Sequence, residues 1–279
     1  MLDVFIGSEM LKAGALTRGE LRWNYRAIFP DVYVSKTAAP SLRRRTVGAW
    51  LWSGRNAVIA GRAAAAVHGA RWISAATPVE LIWRNGRPPP GIVVRNERLD
   101  ADEVIEIDGL PVTTPERTAL DLGRHLPRDL AVSYLDALAR ATHVKAVDAL
   151  MLADRYPRAR GLRRSEIALD LMDGGAESPK ETWLRLVLID GGLPRPSTQI
   201  QVTDGFNEAF IDLGYEGPKV GLDYEGKHHS EDRRQYVFDI GRAELIDREG
   251  WDDIRVVAEH SKSYILHRVR EALKLRSGL

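Results

Sequence analysis

Two short apolar stretches in the last third of the chain, FIDLGY (residues 210–215) and VGLDYEG (residues 220–226), each carry a carboxylate in the middle of what otherwise reads as a buried strand. The turn-rich GYEGPK between them is short, so the two strands should be antiparallel neighbours. Alternate residues of a strand share a face. Phe210, Asp212 and Gly214 then point one way and Ile211, Leu213 and Tyr215 the other, while Asp223 and Glu225 lie opposite Val220, Leu222 and Tyr224. This places Asp212 beside Asp223 or Glu225. Three unpaired carboxylates on a half-buried face repel one another and lose hydration. A divalent cation removes that cost. Mg²⁺, or Mn²⁺ in its place, takes hard oxygen ligands, leaves positions for water and phosphate, and activates a bound water against a phosphodiester. The expected metal ligands are Asp212, Asp223 and Glu225.

The flanking segments extend this pattern. ESPKETWLRLVLIDGG has Ser178 as an N-cap, Pro179 in the first turn and Glu181 at capping-box spacing, with Gly191 and Gly192 as a stop. Glu181 is read either as the partner of that cap or as a member of the carboxylate site; one role does not exclude the other. Gln199 to Val202 begin an extended run. After DYEGKHH, the stretch to about residue 257 reads as a helix and a last strand, with Tyr236, Ile240 and Leu245 as the buried stripe of the helix. Arg234, Asp239 and Arg242 are its polar positions, open to a substrate phosphate or, for Asp239 and Arg242, to mutual pairing.

The order of these pieces resembles the very-short-patch-repair-like branch of the PD-(D/E)xK nuclease superfamily. That family's pattern is SPxET, GLPxPxxQ, a strand ending in Asp, and EYDGxxH; this chain has SPKET, GLPRPSTQ, FIDLGY and DYEGKHH. The resemblance spans residues 176–257. It implies a restriction-endonuclease-like α/β domain with a central mixed sheet, and catalytic roles for Glu181, Asp212, Asp223, Glu225, Lys227 and His229. Two registers are open. In one, Asp223 and Glu225 take the family's Glu and Asp positions with the acids exchanged, and His229 falls on the family histidine. In the other, Glu225, Gly226 and Lys227 form the ExK element and Lys227 positions the attacking water.

The chain is long enough for more than this domain. At 279 residues and 44% hydrophobic content it can bury two cores. It has no cysteine, which excludes disulfides, zinc–cysteine sites and thiol nucleophiles. The N-terminus lacks a basic region followed by a long apolar run, and no stretch reaches the length of a membrane span, so a cytoplasmic protein with no membrane partner is expected.

The net charge of +1 is uninformative, but its distribution is not. Between Asp31 and Glu80 there is no acid, while Lys36, Arg43, Arg44, Arg45, Arg55, Arg62 and Arg71 fall inside the interval. The interval reads as a phosphate footprint, with Arg43, Arg44 and Arg45 as DNA contacts alongside Arg234 and Arg242 further on. A second basic run, DRYPRARGLRR, carries Arg155, Arg158, Arg160, Arg163 and Arg164. Solvated helix faces are the plain alternative for both.

Along the first half, Thr17 and Glu20 have capping-box spacing and start a helix that presents Leu21 and Tyr25 on one face. FPDVYVSK alternates as a strand, and RTVGAWLWSG and AGRAAAAVHGA read as helices. PVELIWR, GIVVRNE and LPVTT read as strands; Thr114 before Pro115 opens a helical stretch to about residue 172, broken near Pro127, His143 and Pro157. The motifs LTRGELR, FPDVYV, AAAAVHG and GLPVTTPERTALDL resemble the AbiEi antitoxin family of type IV toxin–antitoxin systems, which implies a winged helix, DNA binding and a cognate toxin.

The combined expectation is an α/β chain. A winged-helix region (1–74) and an AbiEi-like strand and helical region (75–173) precede a nuclease-like domain (174–279), with Gly174 and Gly175 at the boundary. Its function would be metal-dependent DNA cleavage linked to repair or phage defence. The alternative is a non-catalytic DNA-binding antitoxin or regulator that keeps the nuclease fold as a scaffold. A homodimer is one assembly open to it.

Overall fold

The structure, a computed structural model, describes residues 3–84, 86–226 and 233–277, with side chains for 239–276 of the last segment. The chain divides into two compact units, Met1–Met172 and Asp173–Leu279. Both mix helices with sheets, and no helix among the described residues is long and apolar enough to cross a membrane.

The first unit opens with β1 (Phe5–Ile6), α1 (Gly7–Lys12), α2 (Arg18–Asn24), β2 (Tyr25–Phe29) and β3 (Val32–Ser35). The strands form an antiparallel sheet in the order β1-β3-β2. The Thr17 and Glu20 capping box is present in both directions: Glu20 N–H donates to Thr17 Oγ1 at 3.1 Å and Thr17 N–H to Glu20 Oε2 at 2.8 Å. The helix is shorter than its sequence suggests. Tyr25 is already extended and pairs with Ser35, so the residues after Asn24 form β2 instead of another helical turn.

Next come α3 (Leu42–Trp52), β4 (Val58–Ala60), α4 (Gly61–Val67), β5 (Val79–Ile82), β6 (Ile92–Arg95), β7 (Val104–Ile107) and β8 (Leu110–Thr113). Five of these make a mixed sheet in the order β6-β5-β4-β8-β7. Phe29, Val32 and Val34 of the first sheet share one core with Ile59, Leu81 and Val112 of the second, and the alanines of α4 pack closely into it. At Gly61 (φ +55°) an added Cβ would lie 2.1 Å from Glu80 Oε2, so only glycine lets this helix start so near β5.

The unit ends in α5 (Pro115–His125), α6 (Arg128–Thr142), α7 (Ala146–Ala153) and α8 (Leu162–Asp170). Pro127 caps α6 and His143 ends it in a left-handed conformation, as the sequence breaks suggest. Helix α5 is buried from Arg117 to Arg124 and carries three charged groups into the interior. Arg117, 1% exposed, reaches Glu103 at 2.6 Å, Asp121 at 3.1 Å and Glu97 at 3.1 Å, and donates to the Arg98 carbonyl at 3.1 Å. Arg124 continues the network to Glu97 at 2.8 Å and to Asp121 at 3.1 Å.

The second unit runs α9 (Pro179–Asp190), β9 (Ser197–Thr203), β10 (Glu208–Tyr215), β11 (Val220–Tyr224), α10 (Arg233–Arg248), β12 (Asp252–Val256) and α11 (Lys262–Ser277). The sheet order is β12-β11-β10-β9, antiparallel except where β12 runs parallel to β11. Leu184 and Leu188 of α9 pack with Leu213, Leu222, Ile254, Ile265 and Val269. Ile200, Val202, Ala209 and Ile211 form a second cluster with Leu245, Ile246 and Trp251. Ile211 and Leu213, which strict alternation puts on one face, thus join different clusters. The β10–β11 ladder stops at Leu213 opposite Leu222, and Gln199 on β9 has a positive φ of 49°. The strand is irregular at Asp212 itself. In α10 the buried pair is Leu245 and Ile246; Ile240, expected in the stripe, is 42% exposed, and the Tyr236 side chain lies outside the described residues.

Arg117→Leu keeps much of the bulk in α5 but removes the guanidinium that Glu103 and Asp121 share, leaving Asp121 to Arg124 and Glu103 to the Tyr156 hydroxyl. The full chain is expected to lose about 3–5 kcal/mol of stability, read from urea denaturation. Arg43→Ala, which removes an exposed pair with Asp108, should cost less than about 1 kcal/mol. Equal losses from the two variants would mean that the buried network is not what holds the unit together.

Candidate functional site

The second unit gathers its carboxylates where β10 and β11 part. Ser178 caps α9 by accepting Glu181 N–H at 3.2 Å. The Glu181 carboxylate, 7% exposed, accepts the Glu177 N–H at 2.8 Å and lies 3.5 Å from the Gln199 side-chain amide. It reaches one residue past the cap and toward the sheet. On β10, the Asp212 N–H donates to Asp223 Oδ1 at 2.9 Å, and Asp212 Oδ2 accepts the Tyr224 N–H at 2.9 Å. The two side chains thereby replace the ladder bonds that the strands would otherwise form.

Arg242 of α10 meets Asp223 at 2.5 Å and donates to the Phe210 carbonyl. Among the described residues it therefore serves Asp223, rather than pairing with Asp239 or standing open to a substrate. Asp253 on β12 pairs in register with Gly221, and its Oδ1 is buried without a hydrogen-bond partner. Burial, the Asp223 charge and the nearby Glu181 push Asp212 up to about 7, against the opposing pull of the Tyr224 N–H and Arg242. Burial and Asp223 push Asp253 upward as well.

Of the residues expected from sequence, the structure brings together Glu181, Asp212, Asp223 and Arg242. Glu225 turns instead to Arg255, at 2.9 Å, and is half exposed. Lys227 and His229 lie outside the described residues, as does the Arg234 side chain. Asp253 was not anticipated. Its signal is the pair of acids that opens DDIRV, the strand expected last in the domain.

The donors are hard oxygens suited to Mg²⁺, and Asp253 Oδ1 is an orphaned acceptor. Two observations oppose a cage formed by Asp212, Asp223 and Glu225. Arg242 already supplies the positive charge beside Asp223, and no three ligand atoms of this group converge within 4.8 Å among the described residues. As arranged, these residues do not fit the cation. The group that does converge within that distance is Glu97, Asp121 and His125 in the first unit. There Arg117 and Arg124 occupy the carboxylates, and although burial opposes it, hydrogen bonds from His125 and Arg124 hold Glu97 down to about 2.

The acid-free basic interval is largely neutralised in space. Arg43 pairs with Asp108 at 2.9 Å, Arg44 with Asp3 at 2.8 Å, Arg55 with Glu9 at 2.7 Å and Arg62 with Glu80 at 3.4 Å, all acids from outside the interval. Arg45 donates to the carbonyls of Ala75, Thr77 and Gly91 at 2.8, 2.9 and 3.1 Å, and so acts as a cross-link. Arg71, stacked on Trp72, keeps no acid among the described residues, and ahead of the interval two further cations without one share helix α2. Leu21 alone anchors the helix, while Arg18 and Arg22 are exposed without carboxylate partners among the described residues, and Trp23 is 74% exposed. Lys36 on the adjacent hairpin holds the Arg22 carbonyl at 2.9 Å.

Residues 57–173 match a family model described as the AbiEi antitoxin C-terminal domain. The match covers the AAAAVHG and GLPVTTPERTALDL motifs; LTRGELR, FPDVYV and the second unit lie outside it. Two uncharacterized proteins of Mycobacterium tuberculosis, from strains CDC 1551 / Oshkosh and ATCC 25618 / H37Rv, are each 27% identical to this chain over 174 residues. The alignment takes in 62% of this chain and 64% of each relative, so the chain spans less than two thirds of their length.

Asp212 binds a proton more tightly in the folded chain than in the unfolded one. The stability this contributes is present below about pH 4 and is lost as pH rises toward about 7. Asp212→Asn keeps an acceptor for the Tyr224 N–H and cannot ionise. Its stability relative to wild type should therefore climb between about pH 4 and about pH 8, measured by urea denaturation at each pH. A variant that tracks wild type at both values would show that Asp212 ionises in the folded chain without cost.

Proposed function

We propose that this chain is a DNA-binding, antitoxin-like regulator, acting in the cytoplasm with a cognate toxin as partner, whose second unit keeps a nuclease-like scaffold. The match of residues 57–173 to an antitoxin domain carries this reading. It is supported by the order β1-α1-α2-β2-β3, in which a two-helix unit precedes a hairpin as in a winged helix. In that reading α2 is the recognition helix, Arg18 and Arg22 meet phosphate or base edges, and Trp23 packs on the duplex. The pairing of Arg242 with Asp223 supports a scaffold role for the second unit, because an arginine stands where catalysis would need a metal.

A second reading, metal-dependent phosphodiester hydrolysis, is favoured by one observation. The buried excess of carboxylate around Asp212 and Asp253 lacks a full complement of positive charge. The αβββαβ order of the second unit is compatible with it.

The full chain should bind duplex DNA with an affinity that falls steeply with salt. Arg18→Ala with Arg22→Ala should weaken binding by roughly tenfold or more and flatten the log–log salt slope by roughly 0.9 per lost phosphate contact. An unchanged slope in a folded double variant would remove α2 from the interface. Separately, plasmid incubated with the full chain and Mg²⁺ or Mn²⁺ should stay intact. Cleavage that EDTA stops and Asp212→Asn abolishes would replace the regulator reading with the enzyme.

A further inference from the structure

The basic run at residues 155–164 has no part in the reading above. It runs from the loop that joins α7 to α8 into the first turn of α8, and the loop backbone is clamped against α5. Arg124 Nε donates to the Arg160 carbonyl at 3.1 Å, and the Arg117 guanidinium lies 5.1 Å from the centre of the Tyr156 ring. Gly161 (φ +84°) comes so close to α5 that an added Cβ would lie 2.5 Å from the Arg124 carbonyl oxygen. Arg155 is tied to Asp102 at 2.7 Å. The loop backbone is therefore held in one place by buried neighbours, so the positions from which its arginines extend are fixed before any ligand arrives.

Three of those arginines, Arg158, Arg160 and Arg164, edge a cleft of about 710 Å³ whose far wall includes Arg95 and Arg98. Seven of its twelve lining residues are arginines, against one carboxylate, Glu97. Four of the seven have acidic partners: Arg95 with Glu80, Arg98 with Asp100, Arg124 with Glu97, and Arg155 with Asp102. Arg158, Arg160 and Arg164 are exposed and have no carboxylate partner among the described residues. A solvated run would spread its charges over a convex surface. Here the unpaired charges converge on a concavity, where low-dielectric walls focus their field and an anion relieves their repulsion. Guanidinium groups match phosphate oxygens with paired hydrogen bonds, and the volume lies within the roughly 300–1,000 Å³ typical of small-molecule sites.

We infer that this arginine cleft binds a small, multiply charged phosphate ligand, of the class of a nucleoside polyphosphate or a short polyphosphate chain. Arg158, Arg160 and Arg164 hold the phosphates, and the paired arginines of the far wall supply field without being displaced from their acids. The site is separate from α2 and does not depend on DNA binding there.

The test is calorimetric titration of the full chain with tripolyphosphate and with ATP, at about 50 mM salt so that screening does not mask the interaction. Wild type should bind both. Arg158→Gln, Arg160→Gln and Arg164→Gln together should weaken binding by about tenfold or more, since each charge-assisted hydrogen bond contributes on that scale. Arg163→Gln, next to Arg164 in the first turn of α8 but outside the cleft lining, should bind like wild type, and all variants should share its melting temperature. Tighter binding of ATP than of tripolyphosphate assigns the nucleoside to the site, and equal binding assigns the phosphate chain alone; either supports the inference. No binding of either ligand to wild type overturns it, as does an equal loss in the Arg163→Gln control. A triple variant that loses only duplex DNA binding also overturns it, in favour of a nucleic-acid surface.

Discussion

A guanidinium with 1% exposure survives inside a protein only when its donors find acceptors there, and the first unit is arranged around meeting that condition for Arg117. Its partners come from three places: Glu103 in the short turn before β7, Asp121 one helical turn along α5, and Glu97 with the Arg98 carbonyl in the segment after β6. One side chain thus fixes α5 to the segment that connects β6 to β7. Helices α6, α7 and α8 pack on α5 in turn. Arg124 then carries the same network to the loop between α7 and α8, and Tyr156 closes it with a hydroxyl donated to Glu103. The walls of the arginine cleft are consequences of this arrangement, because the charges on its floor are already balanced and those on its rim are not.

The second unit solves the opposite problem incompletely. Glu181, Asp212, Asp223 and Asp253 come close together on α9 and three strands, with Arg242 among them and Arg255, already paired with Glu225, 3.8 Å from Asp253. Arg242 can neutralise one carboxylate fully. The remaining charge is handled by protonation, which is the physical content of an Asp212 that titrates near 7. The contrast with Glu97, Asp121 and His125 is instructive. Those three have the better metal geometry, yet two arginines complete their charge; the strand carboxylates have the poorer geometry and the unmet charge. Ligand proximity and cation demand fall in different units, so neither alone identifies a metal centre.

What was legible in the sequence was local. The caps at Thr17, Thr114 and Ser178, the breaks at Pro127 and His143, and the hairpin bearing Asp212 and Asp223 each follow from interactions within a few residues, and the structure has them. Elements that depend on distant partners were not legible. Strand β4 has three residues, too few to show a period, and exists because β5 and β8 flank it. Strand β2 follows a helix without a stop signal and is set by pairing with β3. Helix α11 went unread although Ile265, Val269 and Ala272 recur at helical spacing and are buried. The irregularity at Asp212 could not be seen in a strict alternation, since it arises from side chains that take over backbone bonds of the neighbouring strand.

Charge shows the same division most sharply. An acid-free interval of seven cations reads along the chain as a phosphate footprint, but folding brings Asp3, Glu9, Glu80 and Asp108 to four of its arginines and three carbonyls to Arg45. Density of charge in sequence therefore says little about where the field is. What matters is which cations folding leaves without an acid and on what shape it carries them; among these are Arg18 and Arg22 on an exposed helix and Arg158, Arg160 and Arg164 around a cleft. The helix is convex and carries an exposed tryptophan, which suits a long polyanion lying across it; the loop borders a concavity, which suits a short one entering it. In the proposed reading, the two kinds of anion assigned to this unit follow from the shape on which the unpaired arginines are carried.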